Sequence, residues 1–248
     1  AYRHKLEQDL RKAVNGGELD LALQPQVVVQ GEKLVGFEAL ARWQHPEFGA
    51  IRPDLFIEIA EQTGLICELG KQVLNRACRE TALLNDQFEK SFRISVNLSS
   101  LQFQNENLVQ CIEDACRTNG LAPEMLELEV TESLFLSNSD QTKSALAAIR
   151  EMGARVALDD FGTGYSSLSY LREFAIDRIK LDRSFIKDVS WSASDQRIVK
   201  GIISLAKSLD ISTIAEGVET NQQRAFLEEC ECDEIQGFYY GVPSSATD

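Results

Sequence analysis

The sequence has 248 residues, of which 44% are hydrophobic and 26% charged, with a formal net charge of −14. That length and balance suit one large α/β domain with a sizeable core, and the acidity argues against duplex nucleic acid and anionic membrane surfaces, which are bound through Lys and Arg arrays. No apolar run approaches the roughly 18 residues of a membrane span, and the charged start has no export signal, so a cytoplasmic location is expected even if the full-length protein carries a membrane anchor.

Tyr2 to Ala13 reads as a polar amphipathic helix that stops at Asn15-Gly16-Gly17. Residues 1–17 are expected to be a connector from an upstream regulatory domain, which the lack of an initiator Met also suggests. A capping helix on the domain formed by residues 18–248 fits equally well. Strands follow near Leu19–Val29 and Leu34–Trp43. Only Gln30-Gly31-Glu32-Lys33 separates them, too short for a crossover, so these two strands should pair antiparallel.

From there, strands alternate with helical segments. Helices are expected over Pro53–Ala60 and Ile66–Phe88, then a strand near Phe92–Ser99 and a helix over Glu106–Asn119. Strands near Leu126–Ser133 and Arg155–Phe161 flank a helix over Ser139–Met152. Strands near Asp177–Asp182, Ser212–Val218 and Asp233–Gly241 alternate with helices over Asp195–Leu209 and Asn221–Cys230. Gly120 and Gly153 supply helix stops. About eight strands in this order predict a modified TIM (β/α)8-type barrel with an antiparallel first strand. An open doubly wound sheet is the alternative, disfavoured because no Gly-rich phosphate loop follows the first strand.

The six cysteines form no C-x-x-C pair and no regular framework, as expected of free thiols in a reducing compartment. With only His4 and His45, a His-rich metal site is unavailable. His45, in a polar Gln-His-Pro turn, is expected to be solvated.

Side chains alternate along each barrel strand between the interior and the surrounding helices. Glu38 lies opposite the Val35, Phe37 and Ala39 face. Ser95, Asn97 and Ser99 share an inward face, as do Glu127, Glu129 and Thr131. Asp159 and Asp160 end one strand, Lys180 lies on the next and Glu216 near the end of another. These groups fall toward the C-terminal ends of their strands, where such barrels place active sites. Glu38, Glu129, Asp159, Asp160 and Glu216 would gather five carboxylates around one mouth, too many for Lys180 to neutralise. Oxygen ligands, with Asn97 as a neutral amide, favour two ions of Mg²⁺ or Mn²⁺ over zinc or copper. Two such ions suit hydrolysis of a phosphodiester. The plainer alternative is a set of solvated acids, since the chain has 39.

Glu38-Ala39-Leu40 stands within Phe37-Glu38-Ala39-Leu40-Ala41-Arg42-Trp43 and is accompanied in order by Gln24-Pro25, Asn97-Leu98-Ser99, Glu129-Val130-Thr131-Glu132, Asp159-Asp160-Phe161-Gly162-Thr163-Gly164, Lys180-Leu181-Asp182, Glu216-Gly217-Val218-Glu219 and Gln236-Gly237-Phe238. The set resembles the EAL family of phosphodiesterases from about Leu19 to Pro243. The resemblance implies hydrolysis of cyclic di-GMP to linear 5′-pGpG with Mg²⁺ or Mn²⁺. It assigns Glu38, Asn97, Glu129 and Asp159 to one metal and Asp159 with Asp160 to the second, and makes Lys180 and Glu216 the groups that position the catalytic water. Gln24, Leu40, Arg42, Asp182, Gln236 and Phe238 become substrate contacts, with Arg42 on a phosphate. Glu132 and Glu219 become supports, Glu132 for the loop running from Asp160 to Ser167. The resemblance also implies a homodimer with that loop near its interface. Val242, where a basic residue is usual, leaves part of the substrate contact open. A catalytically inactive receptor for cyclic di-GMP and a barrel phosphatase for other diesters are the rival functions.

Overall fold

Helix α1 (Tyr2–Gly16) leads into β1 (Asp20–Val28) and β2 (Lys33–His45), which pair antiparallel from Asp20 opposite Arg42 to Val28 opposite Lys33. This is a computed structural model, and it describes residues 2–136, 139–162, 171, 174 and 176–246. The expected loop segment from Thr163 to Leu168 lies outside the described residues.

A short strand β3 (Gly49–Ile51) extends β2, followed by α2 (Pro53–Gln62) and α3 (Ile66–Phe88). Then come β4 (Arg93–Asn97), α4 (Leu108–Asn119), β5 (Leu126–Thr131), a short α5 (Glu132–Leu136) and α6 (Asp140–Glu151). The chain continues through β6 (Arg155–Phe161), β7 (Arg178–Leu181), α7 (Arg183–Ile186), α8 (Ala193–Ser208), β8 (Ser212–Ala215), α9 (Asn221–Glu229) and β9 (Glu234–Gln236). Strands β2, β4, β5, β6, β7, β8 and β9 run parallel in that order, and β1 closes the barrel antiparallel to both β9 and β2. The expected eight-stranded barrel with one antiparallel strand is therefore the observed one.

Both faces of the strands are covered, so burial alone does not reveal the alternation, but chemistry does. In β5 every residue from Leu126 to Val130 is buried. Leu126, Leu128 and Val130 join the apolar layer beneath the helices, whereas Glu127 and Glu129 bond to polar groups inside the barrel. Helix α3 faces the same layer with Leu74, Ala77 and Cys78, the spacing of one helical stripe.

A second apolar cluster joins α1 to the barrel. Leu6, Leu10, Ala13 and Val14 of α1 pack with Trp43, Phe56 and Ile59. His45 belongs to this junction and corrects the expectation of a solvated turn. It is 2% exposed, its Nε2 lies 3.3 Å from Asp9 Oδ2, and its Nδ1 accepts from the amides of Glu47 and Phe48. Its partner is 36 residues distant, so the Gln-His-Pro context could not reveal it.

Six strands are shorter than expected, and in three of them the early end moves a residue of interest. The one begun at Leu126 ends at Thr131, because Glu132 opens α5. The one begun at Ser212 ends at Ala215, leaving Glu216 just beyond β8. The last ends at Gln236, so Phe238 lies past the strand. Gly237 passes so close to Val218 that a Cβ there would stand 2.2 Å from the Val218 carbonyl oxygen, and only glycine fits. Ser99 also departs from an inward position. It lies beyond β4, caps the 3-10 turn Ser100–Gln104 and donates to Glu61 at 2.6 Å.

Candidate active site

Lys180, on β7, is 1% exposed and stands at the centre of an acidic ring. Its Nζ lies 2.5 Å from Glu129, 2.7 Å from Glu216, 3.3 Å from Asp159 and 3.7 Å from Glu38. Each acid comes from a different strand or strand end, as expected where inward positions meet at the barrel mouth. Burial opposes a charge on Lys180, but the acids, Glu129 and Glu216 foremost, hold its ammonium well above the ordinary lysine range. Burial pushes the Glu129 carboxyl far up, reinforced by Glu38. Glu216 is pushed up to about 7, again chiefly by burial. Burial would also raise Glu38, yet Lys180, Gln236 and Asn97 together keep it below the ordinary carboxylate range.

Asn97, at the end of β4, donates from Nδ2 to Glu38 Oε1 at 2.8 Å. Gln236 donates to Glu38 Oε2 and to Gln24 Oε1, bringing the predicted Gln24 and Gln236 into the same cluster. Arg42 lies four residues beyond Glu38 on β2. It is half-buried, its NH1 donates to the Ala41 carbonyl, and no ion pair engages it among the described residues. Burial lowers its pKa, and Glu38 partly offsets that. Leu40 is half-buried on the same strand, and Phe238 is 57% exposed beyond β9.

Asp159 and Asp160 need a local irregularity to serve one site, because consecutive residues of a regular strand face opposite ways. The β6–β7 register shifts between Leu158 and Phe161, and Asp160 takes φ +54°, a left-handed conformation that Asp tolerates better than most residues. Asp160 therefore remains beside Asp159, where burial first and then Asp159 and Asp182 raise its pKa. Glu132 Oε1 accepts the Gly162 amide at 2.9 Å, tying α5 to the chain just after this irregularity. Asp182 caps α7 by accepting the Ser184 amide at 3.0 Å, and Glu219 pairs with Arg183 at 2.7 Å. These last two are tied to the start of α7 rather than drawn onto Lys180.

A second ionic layer, absent from the sequence-based expectations, fills the barrel below. Arg178, 1% exposed, lies 2.8 Å from Glu234 and 3.3 Å from Glu127, and Arg93 also reaches Glu234. The signal for it was available: Arg178, Glu127 and Glu234 each precede a residue of the upper cluster by two positions, the same-face spacing of a strand.

The upper cluster suits hard divalent cations. Four carboxylates share one ammonium, and Glu129 Oε1 is buried without a hydrogen-bond partner among the described residues. Further positive charge would relieve both conditions. The donors are oxygen atoms only, the set that hard cations prefer. Among the described residues no three His, Cys, Asp or Glu side chains form a ready-made metal cage, because the acids close on Lys180.

The profile of the EAL domain family matches residues 7–243. The chain is 41% identical over 242 residues to the bifunctional diguanylate cyclase/cyclic di-GMP phosphodiesterase MucR of Pseudomonas aeruginosa, covering 98% of this chain and 35% of that protein. It is 42% identical over 239 residues to the cyclic di-GMP phosphodiesterase NbdA of Pseudomonas aeruginosa, covering 96% of this chain and 30% of that protein. It thus spans about a third of the length of these curated relatives. Among solved structures, the PaMucR phosphodiesterase in its c-di-GMP complex superimposes with a TM-score of 0.93 at 41% identity, covering 98% of both chains.

Proposed function

The chain belongs to the EAL domain family, and from that premise we propose that it is a metal-dependent phosphodiesterase that opens cyclic di-GMP to linear 5′-pGpG. The observation that carries this reading is the convergence of Glu38, Glu129, Asp159 and Glu216 on the buried Lys180. The names of its relatives supply the substrate.

Glu38, Asn97, Glu129 and Asp159 would hold one Mg²⁺ or Mn²⁺ ion, and Asp159 with Asp160 the second. Bound ions of this kind supply a hydroxide-like water near neutral pH and offset charge on phosphate oxygens. Arg42, a fork of donors without a carboxylate partner among the described residues, binds a phosphate oxygen. Gln24 and Gln236 orient the substrate from β1 and β9, with Leu40, Asp182 and Phe238 beside it. Lys180 stays protonated among its acids and holds the attacking water by a hydrogen bond, while Glu216, 2.7 Å away, keeps the ammonium aimed. Glu132 steadies the chain after Asp160 through Gly162, and Glu219 steadies the start of α7 through Arg183.

The domain works as a cytoplasmic homodimer. Among the described residues no helix is long and apolar enough to cross a membrane. Residues 18–248 form the catalytic barrel, and α1 is a connector helix held to it by Leu6, Leu10, Ala13 and Val14. Sedimentation of the purified chain tests the dimer.

An inactive cyclic di-GMP receptor is disfavoured because Glu38, Glu129, Asp159 and Glu216 are all present and meet at Lys180. Incubation with cyclic di-GMP and Mg²⁺, followed by chromatography, separates the two. Linear dinucleotide is expected, and intact nucleotide retained by the protein would establish the receptor.

A further inference from the structure

Three glutamine side chains meet inside the barrel where β1 joins β9. Gln26 stands opposite Gln236 in the strand register. Its Nε2 donates to Gln236 Oε1 at 3.1 Å and, more weakly, to Ser95 Oγ at 3.4 Å. Gln236 Nε2 in turn donates to Gln24 Oε1 at 3.0 Å and to Glu38 Oε2. That leaves Gln24 Nε2 with a single, long approach among the described residues, 3.4 Å to the Gly241 carbonyl.

The relay runs one way. A flipped Gln236 amide would set its oxygen against the Glu38 carboxylate and the Gln24 carbonyl, so Glu38 decides which way Gln236 faces. Gln26 decides where Gln236 stays, because it alone among the described residues donates to Gln236 Oε1. Gln26 is 1% exposed, and its own Oε1 has no partner among the described residues. A buried carbonyl without a partner is destabilising, and an apolar side chain of similar size would avoid that cost. What the amide adds is the donor aimed at Gln236.

We propose that Gln26 is a positioning residue for the reaction: it anchors Gln236 so that both Gln236 N–H groups remain on Glu38 and Gln24, and so presents a Gln24 N–H to an oxygen of the substrate. The inference rests on the phosphodiesterase reading. It predicts an uncommon combination, a variant that loses function without losing stability.

The test compares wild type, Gln26→Met, Gln26→Leu, Gln236→Met and the Gln26→Met/Gln236→Met pair for hydrolysis of cyclic di-GMP in Mg²⁺, with thermal melting of each. Loss of one neutral hydrogen bond corresponds to a fall in kcat/KM of about 3- to 10-fold in Gln26→Met and Gln26→Leu, expected as a higher KM and a higher Mg²⁺ demand. Melting temperature should change little, because relief of the orphaned Gln26 carbonyl offsets the loss of the donor to the buried Gln236 carbonyl. In the Gln236→Met background, Gln26→Met should add less than about twofold, since the two residues act in series. Wild-type kinetics in both Gln26 variants would overturn the proposal, as would losses that simply multiply in the pair. Early melting with unchanged kcat/KM in the folded protein would mark Gln26 as structural only and overturn it too. A wild type that binds cyclic di-GMP without cleaving it removes the hydrolytic reading alone; the same variants are then compared by Kd, with the same factors expected. A wild type that neither binds nor cleaves overturns both.

Discussion

Replacing Lys180 by Met should expose how far the acidic ring depends on positive charge. The ammonium is 1% exposed and lies within 3.7 Å of four carboxylates, and Met keeps most of its volume while removing the charge. Removing one member of a buried ionic group typically costs about 3–5 kcal/mol, because the remaining charges are left desolvated and uncompensated. Protonation of the acids limits that cost, so the deficit should grow as pH rises and the carboxyls ionise. Urea unfolding of metal-stripped protein at pH 6 and pH 8 measures it. Added Mg²⁺ should recover a large part of the stability, because the ion replaces the missing charge, but it should not restore turnover. Proton-transfer and orienting groups of this kind typically contribute about 10²- to 10⁴-fold to rate, so Lys180→Met should fall by at least about 10²-fold in kcat. Equal stability of variant and wild type in EDTA, with no response to Mg²⁺, would refute the idea that this ring is a charge-deficient site.

Four further outcomes are expected. Arg42→Ala should weaken cyclic di-GMP binding about 10- to 150-fold, the worth of a hydrogen bond to a charged group, measured by calorimetry with Ca²⁺ in place of Mg²⁺ to block turnover; unchanged affinity would remove Arg42 from the phosphate. Asp159→Asn should abolish turnover and reduce bound Mn²⁺ from two ions to one or none, counted by equilibrium dialysis; two ions and normal rate would contradict its assignment to both ions. Metal-stripped wild type should lose stability as pH rises from about 5 to 8, since Glu216, raised to about 7, binds a proton in the folded state that the unfolded chain has released; Glu216→Gln should flatten that slope. Glu132→Ala, which frees the Gly162 amide, should lower kcat and raise the Mg²⁺ needed for half-maximal rate, and an unchanged Mg²⁺ curve would leave Glu132 without a part in the second metal site.

Strand alternation made most of the site legible in the sequence. Acids recur on the inward face near strand ends, which puts Glu38, Glu129, Asp159 and Glu216 at one mouth, and Lys180 does stand among them. Alternation could not account for Asp159 and Asp160 together, since a regular strand separates neighbours. A register shift and a left-handed Asp160 keep them together, and neither is encoded by periodicity. The burial of His45 is invisible to local sequence for a different reason: it depends on Asp9 and on α1 packing, contacts made far along the chain. The α1 stripe of Leu6, Leu10, Ala13 and Val14 was visible at helical spacing, but the surface that receives it was not. Gln26 was unremarkable in the sequence, and only the β1–β9 register reveals that it faces Gln236.

The most direct test of metal-dependent hydrolysis by this carboxylate ring is turnover of cyclic di-GMP by metal-stripped protein as Mg²⁺ or Mn²⁺ is added back, followed by chromatography. No linear product is expected in EDTA, and a saturable rise in 5′-pGpG is expected as either ion is restored. Cleavage at full rate in EDTA, or intact cyclic di-GMP at every metal concentration, would contradict metal-dependent hydrolysis.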